Sequence, residues 1–356
     1  MDKLKIAIIG QGRSGRNIHG AFFKKEENIF CKVVAVVELD QERRQRALEE
    51  YPGCAVYSDY RDLFVRDDLD LVVNAGFSHE HYSITKDLLM HGKNVVVEKP
   101  MGRTYYECSD LIKTAKDHGV TLAVFQQSLF APYYAVPKAV VDSGKIGQLK
   151  QVSIRYNGFS RRWDWQTTQS FLGGSVYNTG PHPIGFGLDI LGFDPQTRVA
   201  FSKLDMALTS GDAEDYAKII LTAPGKPVVD IEISSMDAYN DFQLKFQGTL
   251  GTLRSTAKGY CVKYMVPGEN PDQALQCEPL KDDEGLPKYC REKLVTHEET
   301  EEYTGTAFDV AVRDFYEMVY NKLTKDEPMT ITPEMAAHVI NIIETVHGQN
   351  PLPVLY

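Results

Sequence analysis

A chain of 356 residues is too long for one hydrophobic core, so two domains are expected. The formal net charge of -10 argues against non-specific binding to nucleic acid or to anionic membrane surfaces, and no apolar run is long enough to span a bilayer. Six scattered cysteines (Cys31, Cys54, Cys108, Cys261, Cys277 and Cys290) form no C-x-x-C pair, which points to a reduced, cytoplasmic protein without a thiolate metal site. Because the chain opens on a strand pattern, no signal peptide is expected.

Leu4–Ile9 is a short apolar run that reads as a buried strand. It ends in Gly10-Gln11-Gly12-Arg13-Ser14-Gly15, a G-x-G-x-x-G turn with a helix-like stretch behind it. In such a turn Gly10 permits the tight bend, Gly12 leaves room for a pyrophosphate, and Gly15 lets helix and strand pack closely. The N–H groups that open the helix favour the phosphates. A second apolar run, Val33–Val37, ends at Glu38, whose carboxylate can accept both hydroxyls of an adenosine ribose and would repel a 2′-phosphate. Leu39 follows instead of Arg, which favours NAD over NADP, although Arg43 and Arg44 keep NADP open. The bland alternative is a glycine-rich turn in an ordinary α/β protein, and it weakens once both halves occur in order.

Helix-like and strand-like stretches then alternate: a helix over Gln41–Glu50, a strand over Asp70–Asn74, a helix over His79–His91, a strand over Asn94–Glu98, a helix over Tyr105–His118 and a strand over Val120–Phe125. This is the pattern of a doubly wound parallel sheet covered on both faces, with ligands bound beyond the carboxyl ends of the strands. His79 and His81 stand two apart, do not share a helix face, and suggest no metal. Glu98-Lys99-Pro100 sits at the carboxyl edge of the sheet, with Lys99 steered toward extended backbone by Pro100. Lys99 there can stabilise a developing alkoxide, or it can form a surface ion pair; the tripeptide does not separate the two.

Beyond residue 150 the pattern changes. Gln151–Tyr156, Tyr216–Leu221, Val228–Ser234 and Phe242–Phe246 are strand-like, and several alternate apolar with polar residues. That alternation implies a mainly antiparallel sheet with one face on helices. Residues 267–301 read as a long polar loop, and Thr306–Leu323 and Pro333–His347 as helices. Within Gly173–Pro183, Asn178 and His182 stand four apart. Gly180-Pro181 argues for a helix break that leaves His182 near the start of a helix running to Leu191. A histidine there can take a hydroxyl proton, or it can be structural.

Taken together these motifs resemble the Gfo/Idh/MocA oxidoreductases, which include glucose–fructose oxidoreductase and inositol dehydrogenase. The resemblance rests on Gly10-x-Gly12-x-x-Gly15, Ala75-Gly76-Phe77-Ser78-x-x-His81, Glu98-Lys99-Pro100, Ser143-Gly144-Lys145-Ile146-Gly147 and Gly173-Gly174…Gly180-Pro181-His182, and covers nearly the whole chain. It implies an N-terminal Rossmann domain, taken as residues 1–126, and a C-terminal α/β domain with a large open sheet, taken as residues 127–356. That sheet would form a dimer or tetramer interface. It also implies NAD(P)-dependent redox chemistry on a sugar, polyol or glycoside, with Lys99 and His182 catalytic and Asn178 beside them. Cofactor contacts are implied at Gly10, Gln11, Gly12, Arg13, Ser14, Gly15, Glu38, Ala75, Gly76, Ser78, His81, Glu98, Lys99 and Gln127. Substrate contacts are expected from Lys99, Asn178 and His182 and from Arg161, Trp163, Asp164 and Trp165, since tryptophan faces suit pyranose C–H faces. Asp164 is an alternative proton acceptor.

The chain departs from the family pattern in three places. Asn178 replaces the usual Asp and cannot carry charge, though it can still hydrogen-bond a hydroxyl. Gly185 replaces an acid three residues after the histidine, and Phe77-Ser78 replaces Pro-Asn. Two further activities therefore stay open: redox-assisted glycoside cleavage through a 3-keto intermediate, and ligand sensing without catalysis. The absence of a DNA-binding element weighs against the second.

Overall fold

The computed structural model describes residues 3–356. The first half follows from continuous apolar strands that can be buried on both faces. The strands are β1 (Leu4–Ile9), β2 (Cys31–Val37), β3 (Ala55–Tyr57), β4 (Leu71–Asn74), β5 (Val95–Val97) and β6 (Leu122–Val124). They form one parallel sheet in the order β3-β2-β1-β4-β5-β6. The order reverses between β1 and β4, so the crevice for a ligand opens beyond their carboxyl ends. Between the strands run α1 (Gly20–Phe23), α2 (Gln41–Glu50), α3 (His81–Met90) and α4 (Tyr105–Asp117). Asp40 and Thr104 cap α2 and α4, each accepting a backbone N–H of the first turn. The stretch Arg13–His19 before α1 is wide-turned, with the N–H of Gly20 reaching back to the Gly15 carbonyl.

The second half carries α5 (Pro132–Asp142), β7 (Leu149–Asn157), α6 (Ser175–Asn178), α7 (Pro181–Ile190), β8 (Arg198–Asp205), β9 (Tyr216–Thr222), β10 (Val228–Ser234), β11 (Leu244–Gly248), β12 (Gly251–Ser255) and β13 (Gly259–Tyr264). It ends with β14 (Leu280–Lys281), β15 (Pro287–Lys288), β16 (His297–Glu302), α8 (Ala307–Lys325) and α9 (Pro333–Gln349). Eight strands form a sheet in the order β16-β13-β12-β11-β7-β10-β9-β8, antiparallel at every pair except β7 with β10. Alternation sends Val152, Ile154, Ile219, Ile231 and Phe246 into the core beneath α7 and α9. The opposite face carries a charge lattice in which Asp230 binds both Arg155 (2.8 Å) and Lys218 (2.7 Å).

Residues 267–301 are not wholly a loop. They include the short hairpin β14–β15 and most of β16, which pairs with β13 along its length. The sequence pattern also left β3, β8, β12, β13 and α5 unread.

Two cores divide the parallel sheet. Ala7 and Ile9 of β1 face a cluster that continues into the second half of the chain, while Ile6 and Ile8 face the other side. That other side is closed by α8, whose Val312, Phe315, Tyr316 and Val319 pack with Phe22, Phe23 and Phe125. The late helix α8 thus completes a core begun by the first strand. Phe315 is fully buried and lies edge-on to Phe125 at 4.9 Å. Phe315→Ala is expected to cost about 3–5 kcal/mol of unfolding free energy, read from urea denaturation. An unchanged midpoint would place α8 outside the cooperative fold.

Candidate active site

The glycine turn is built by close approach. Gly10 has φ +88°, and a Cβ on it would stand 2.5 Å from the Ala75 carbonyl oxygen. A Cβ on Gly15 would stand 1.9 Å from the Gly10 oxygen, so helix and strand could not close with any larger residue. Gly12 is different: a Cβ there would meet nothing within 4 Å, so its face is open to a phosphate. Glu38, buried at the end of β2, accepts the Gln11 N–H at Oε2 (2.7 Å) and the Asp40 N–H at Oε1 (3.0 Å). Its carboxylate is held at the rim of the turn with lone pairs left for ribose hydroxyls. Arg43 lies 3.8 Å from Glu38, while Arg44 is tied to the carbonyls of Glu38 and Leu39. The chemistry of this set fits a dinucleotide: Gly12 and the opening of the helix for the phosphates, Glu38 for the ribose. Gln127 adds a buried Oε1 without a protein donor at the start of the turn after β6.

Not every expected cofactor residue presents a free group. His81 is buried with Nδ1 2.7 Å from the Pro100 carbonyl and Nε2 3.3 Å from the Gly76 carbonyl. Burial lowers its pKa, and a neutral imidazole has one N–H, so the ring can donate to only one of these carbonyls, the nearer being that of Pro100. Glu98 is likewise turned inward, between His19 Nε2 (3.2 Å at Oε1) and the Lys99 N–H (3.1 Å at Oε2). Arg13 is exposed, and its charge acts on the Lys99 amine.

At the end of β5 the Lys99–Pro100 peptide is cis. The Lys99 Nζ crosses to the second half and donates to the Asn178 carbonyl at 2.6 Å. Burial pushes this amine below the ordinary lysine range; Glu98 acts against that and Arg13 with it. α6 ends at Asn178 and α7 starts at Pro181, but Gly180 is not steered out of the α region: it keeps right-handed helical angles (φ −53°, ψ −31°), and its N–H reaches back to the Ser175 carbonyl at 2.9 Å, so the interruption is a wide turn and not an extended break. His182 sits in the first turn of α7 with Nδ1 2.8 Å from Ser128 Oγ, and its Nε2 makes no hydrogen bond among the described residues. Burial, and then the Lys99 charge, push the imidazole down to about 3, so it is neutral at ordinary pH.

Three buried groups hold this turn in place, none of them signalled by a motif. Glu214 accepts the Val176 N–H at 2.8 Å and fills the space beside Gly174, whose φ is +95°. Gln126 donates to the Pro181 carbonyl at 2.9 Å. A Cβ on Gly185 would stand 2.3 Å from that same Gln126 Nε2, so any side chain at this position would displace the amide from the Pro181 carbonyl. Ser128 orients His182.

A cavity of about 550 Å³ begins at Asn178 and Thr179 and extends along the ends of β7 and β10. It is lined by Arg162 and Gln166, whereas Arg161, Trp163, Asp164 and Trp165 do not line it. Trp163 is exposed; Trp165 packs edge-on to Phe77 at 5.3 Å, across the gap between the two halves of the chain. Asp164 is exposed and paired with Arg162 at 2.8 Å, capping the turn Trp165–Thr167. The segment Arg161–Gln166 lies beside the cavity and turns Arg162 and Gln166, not the expected side chains, toward it. Gln166 links it to the site by donating to Asn178 Oδ1 at 3.4 Å. Among the described residues no group of three or more His, Cys, Asp or Glu side chains is placed to hold a metal ion, and no helix is long and apolar enough to cross a membrane.

Residues 4–126 match a family described as an oxidoreductase family with an NAD-binding Rossmann fold, and residues 138–348 match its C-terminal alpha/beta domain. The chain is 22% identical to the scyllo-inositol 2-dehydrogenase (NADP(+)) IolW of Bacillus subtilis, over 97% of this chain and 93% of that one. It is 23% identical to the 2,7-anhydro-N-acetylneuraminate hydratase of Mediterraneibacter gnavus, over 98% and 87%. Among solved structures, that of yvaA from Bacillus subtilis superposes with a TM-score of 0.79 over 100% of this chain and 98% of its own, at 17% identity.

Proposed function

The chain belongs to the Gfo/Idh/MocA oxidoreductase family, and from that premise we propose that it is an NAD-dependent dehydrogenase acting on a secondary alcohol of a sugar, cyclic polyol or glycoside. The observation that carries this reading is the 2.6 Å bond from Lys99 Nζ to the Asn178 carbonyl, which brings the lysine to the turn that leads into His182. In this reading residues 1–126 hold the dinucleotide, and residues 127–356 hold the substrate.

The bound nicotinamide supplies the hydride acceptor. Lys99, kept protonated, donates to the substrate oxygen and stabilises the charge that builds there. His182, already neutral, takes the hydroxyl proton at Nε2 while Ser128 fixes its ring. Asn178 orients the hydroxyl without competing for its proton. Asp164, exposed, paired with Arg162 and not among the residues that line the cavity, is set aside as a base.

Glu38 supports NAD as the preferred cofactor; Arg43 beside it is the group that would serve a 2′-phosphate. The six unpaired cysteines support a reduced, cytoplasmic setting. The open charged face of the large sheet supports assembly into a dimer or tetramer. Joint retention of Lys99 and His182 weighs against a purely sensing role. One relative of nearly full coverage is named a hydratase, a reaction without net redox, and this favours keeping transient oxidation followed by elimination as the second reading. Net accumulation of NADH separates the two.

Lys99→Ala and His182→Ala are each expected to lower kcat about 10²–10⁴-fold while NAD binding, read by fluorescence titration, persists. Full activity in either variant refutes the assignment. The pH profile of kcat/KM for oxidation should lack an acid limb near the ordinary histidine value of about 6.5, because His182 stays neutral there. Its alkaline limb should fall below the ordinary lysine range, because a buried Lys99 loses its proton early; a limb at the ordinary lysine position would show that Lys99 is not the group titrating. Glu38→Arg should shift the NADP-to-NAD ratio of kcat/KM toward NADP by about tenfold or more; an unchanged ratio would place Glu38 away from the ribose.

A further inference from the structure

The turn that carries Asn178 cannot hold itself. α6 is four residues long, and Gly174 before it has no side chain to cap it. A single helical turn is unstable alone, and its first N–H groups need acceptors. Both acceptors come from one distant residue. The Glu214 carbonyl takes the Ser175 N–H at 2.8 Å, and Glu214 Oε1 takes the Val176 N–H at 2.8 Å. Glu214 thus caps α6 from outside, and the carbonyl of the last residue of α6 is the one that Lys99 meets at 2.6 Å.

The Glu214 carboxylate is fully buried, and among the described residues no lysine or arginine lies within ion-pair distance of it. Its Oε2 stands 3.3 Å from His347 Nε2 on α9. The other ring nitrogen, Nδ1, stands 3.0 Å from the Ile343 carbonyl, one turn back on the same helix. A carbonyl only accepts, so Nδ1 carries a proton. Nε2 then meets Oε2 across a second proton, which attracts, or with a bare lone pair, which repels. His81 also stands between two acceptors, but both are carbonyls, and neither offsets a charge on its ring. His347 has a carboxylate, and the Tyr177 ring stacked on it at 4.9 Å offers a face to a cation. Burial lowers the His347 pKa, but the hydrogen bond and the charge of Glu214 outweigh that and hold it above the ordinary histidine value.

The other charges around α9 are engaged elsewhere. Glu344 accepts the Tyr105 N–H at 2.9 Å, and Glu107 of α4 accepts the Arg103 N–H at 2.5 Å. The Arg103 guanidinium donates to the Gln169 and Ser170 carbonyls at 3.4 and 3.2 Å. Lys203 of β8 pairs with Asp205 at 3.3 Å, and Asp189 of α7 accepts the Tyr134 hydroxyl. Beside Glu214, Asp212 accepts the Gln169 and Leu355 N–H groups at 2.8 Å, and Asp215 accepts those of Ala207, Leu208 and Thr209 at 2.6–2.9 Å. Glu214 is the charge that acts on the His347 ring.

We propose that His347 is a positioning residue for the candidate active site: with a proton on each ring nitrogen it clamps Glu214, Glu214 fixes α6, and α6 presents the Asn178 carbonyl to Lys99. Loss of the Nε2 proton turns an attraction into a repulsion and loosens the turn. The clamp is present in full below the ordinary histidine value of about 6.5 and is lost as pH rises through the higher value His347 has in the fold. Its effect at Lys99 rests on the dehydrogenase reading; the clamp itself does not.

The test uses the whole protein. Histidine labelled with carbon-13 at Cε1 gives the His347 titration by NMR, the resonance being assigned by its loss in His347→Gln. Hydrogen exchange of peptides spanning residues 174–180, corrected for the intrinsic pH dependence of exchange, reports the turn. In the wild type His347 should titrate above about 6.5, and protection of the turn should fall over the same pH range. His347→Gln should remove that pH dependence, and His347→Lys, which keeps a charge, should carry protection to higher pH. In turnover, kcat should step down about tenfold across the His347 titration, with KM for NAD unchanged; the step should be absent in His347→Gln while the limb assigned to Lys99 remains. A His347 that titrates at or below 6.5, or a turn whose protection does not follow it, overturns the clamp, and the wild type alone decides this. A clamp seen by NMR and exchange, with no NADH from any sugar or polyol, keeps the clamp and removes the dehydrogenase reading. Turnover without the step in kcat, the clamp being present, overturns the positioning role.

Discussion

The bond from the Lys99 ammonium to the Asn178 carbonyl is the contact on which the site depends, because it ties the carboxyl edge of the parallel sheet to the turn before α7. An ionised donor meeting a backbone acceptor contributes about 1.5–3 kcal/mol in a protein interior. That is enough to favour one geometry of the turn, but only if the turn is already close to it. Glu214 beneath α6, Gln126 at the Pro181 carbonyl and Ser128 at the His182 ring supply that condition. The amine is thus held where an incoming hydroxyl can replace the carbonyl as its acceptor, at a small reorganisation cost.

Behind Lys99 lies a second layer that joins distant parts of the chain. His19, fully buried against Phe125, bonds Glu98 on one side and Tyr316 of α8 on the other, at 3.2 and 2.6 Å. Burial pushes the Glu98 carboxyl up, but the His19 hydrogen bond and the neighbouring positive charges outweigh it and hold the carboxyl down to about 2. Glu98 therefore stays anionic beside Lys99 and opposes the loss of its proton. The helix α8 takes part in the electrostatics of the site without approaching the cavity.

Much of this was legible in the sequence where local pattern and tertiary role coincide. Val33–Val37 and Leu4–Ile9 are buried on both faces and read as strands from composition alone. The glycine turn, Glu38, Lys99 and His182 belong to motifs whose spacing reflects backbone geometry. What was not legible depends on partners far away in sequence. His297–Glu302 is charged along its length and reads as a solvated segment; it is a strand because β13 offers it an edge, and its charge suits an outermost strand. The helix α5 is disguised by Pro137 in its interior. Arg161 and Trp163 carried the expected chemistry but point outward, while Arg162 and Gln166 point in, a phase that periodicity does not determine in irregular backbone. Ser128 and Glu214 carry no signal at all, because any buried polar residue looks the same until its neighbour is known.

The contact between Gln126 and the bare Cα of Gly185 makes the two positions interdependent. A side chain at 185 would push the Gln126 amide aside and take from the Pro181 carbonyl its donor, so a change at either position is felt at the first turn of α7.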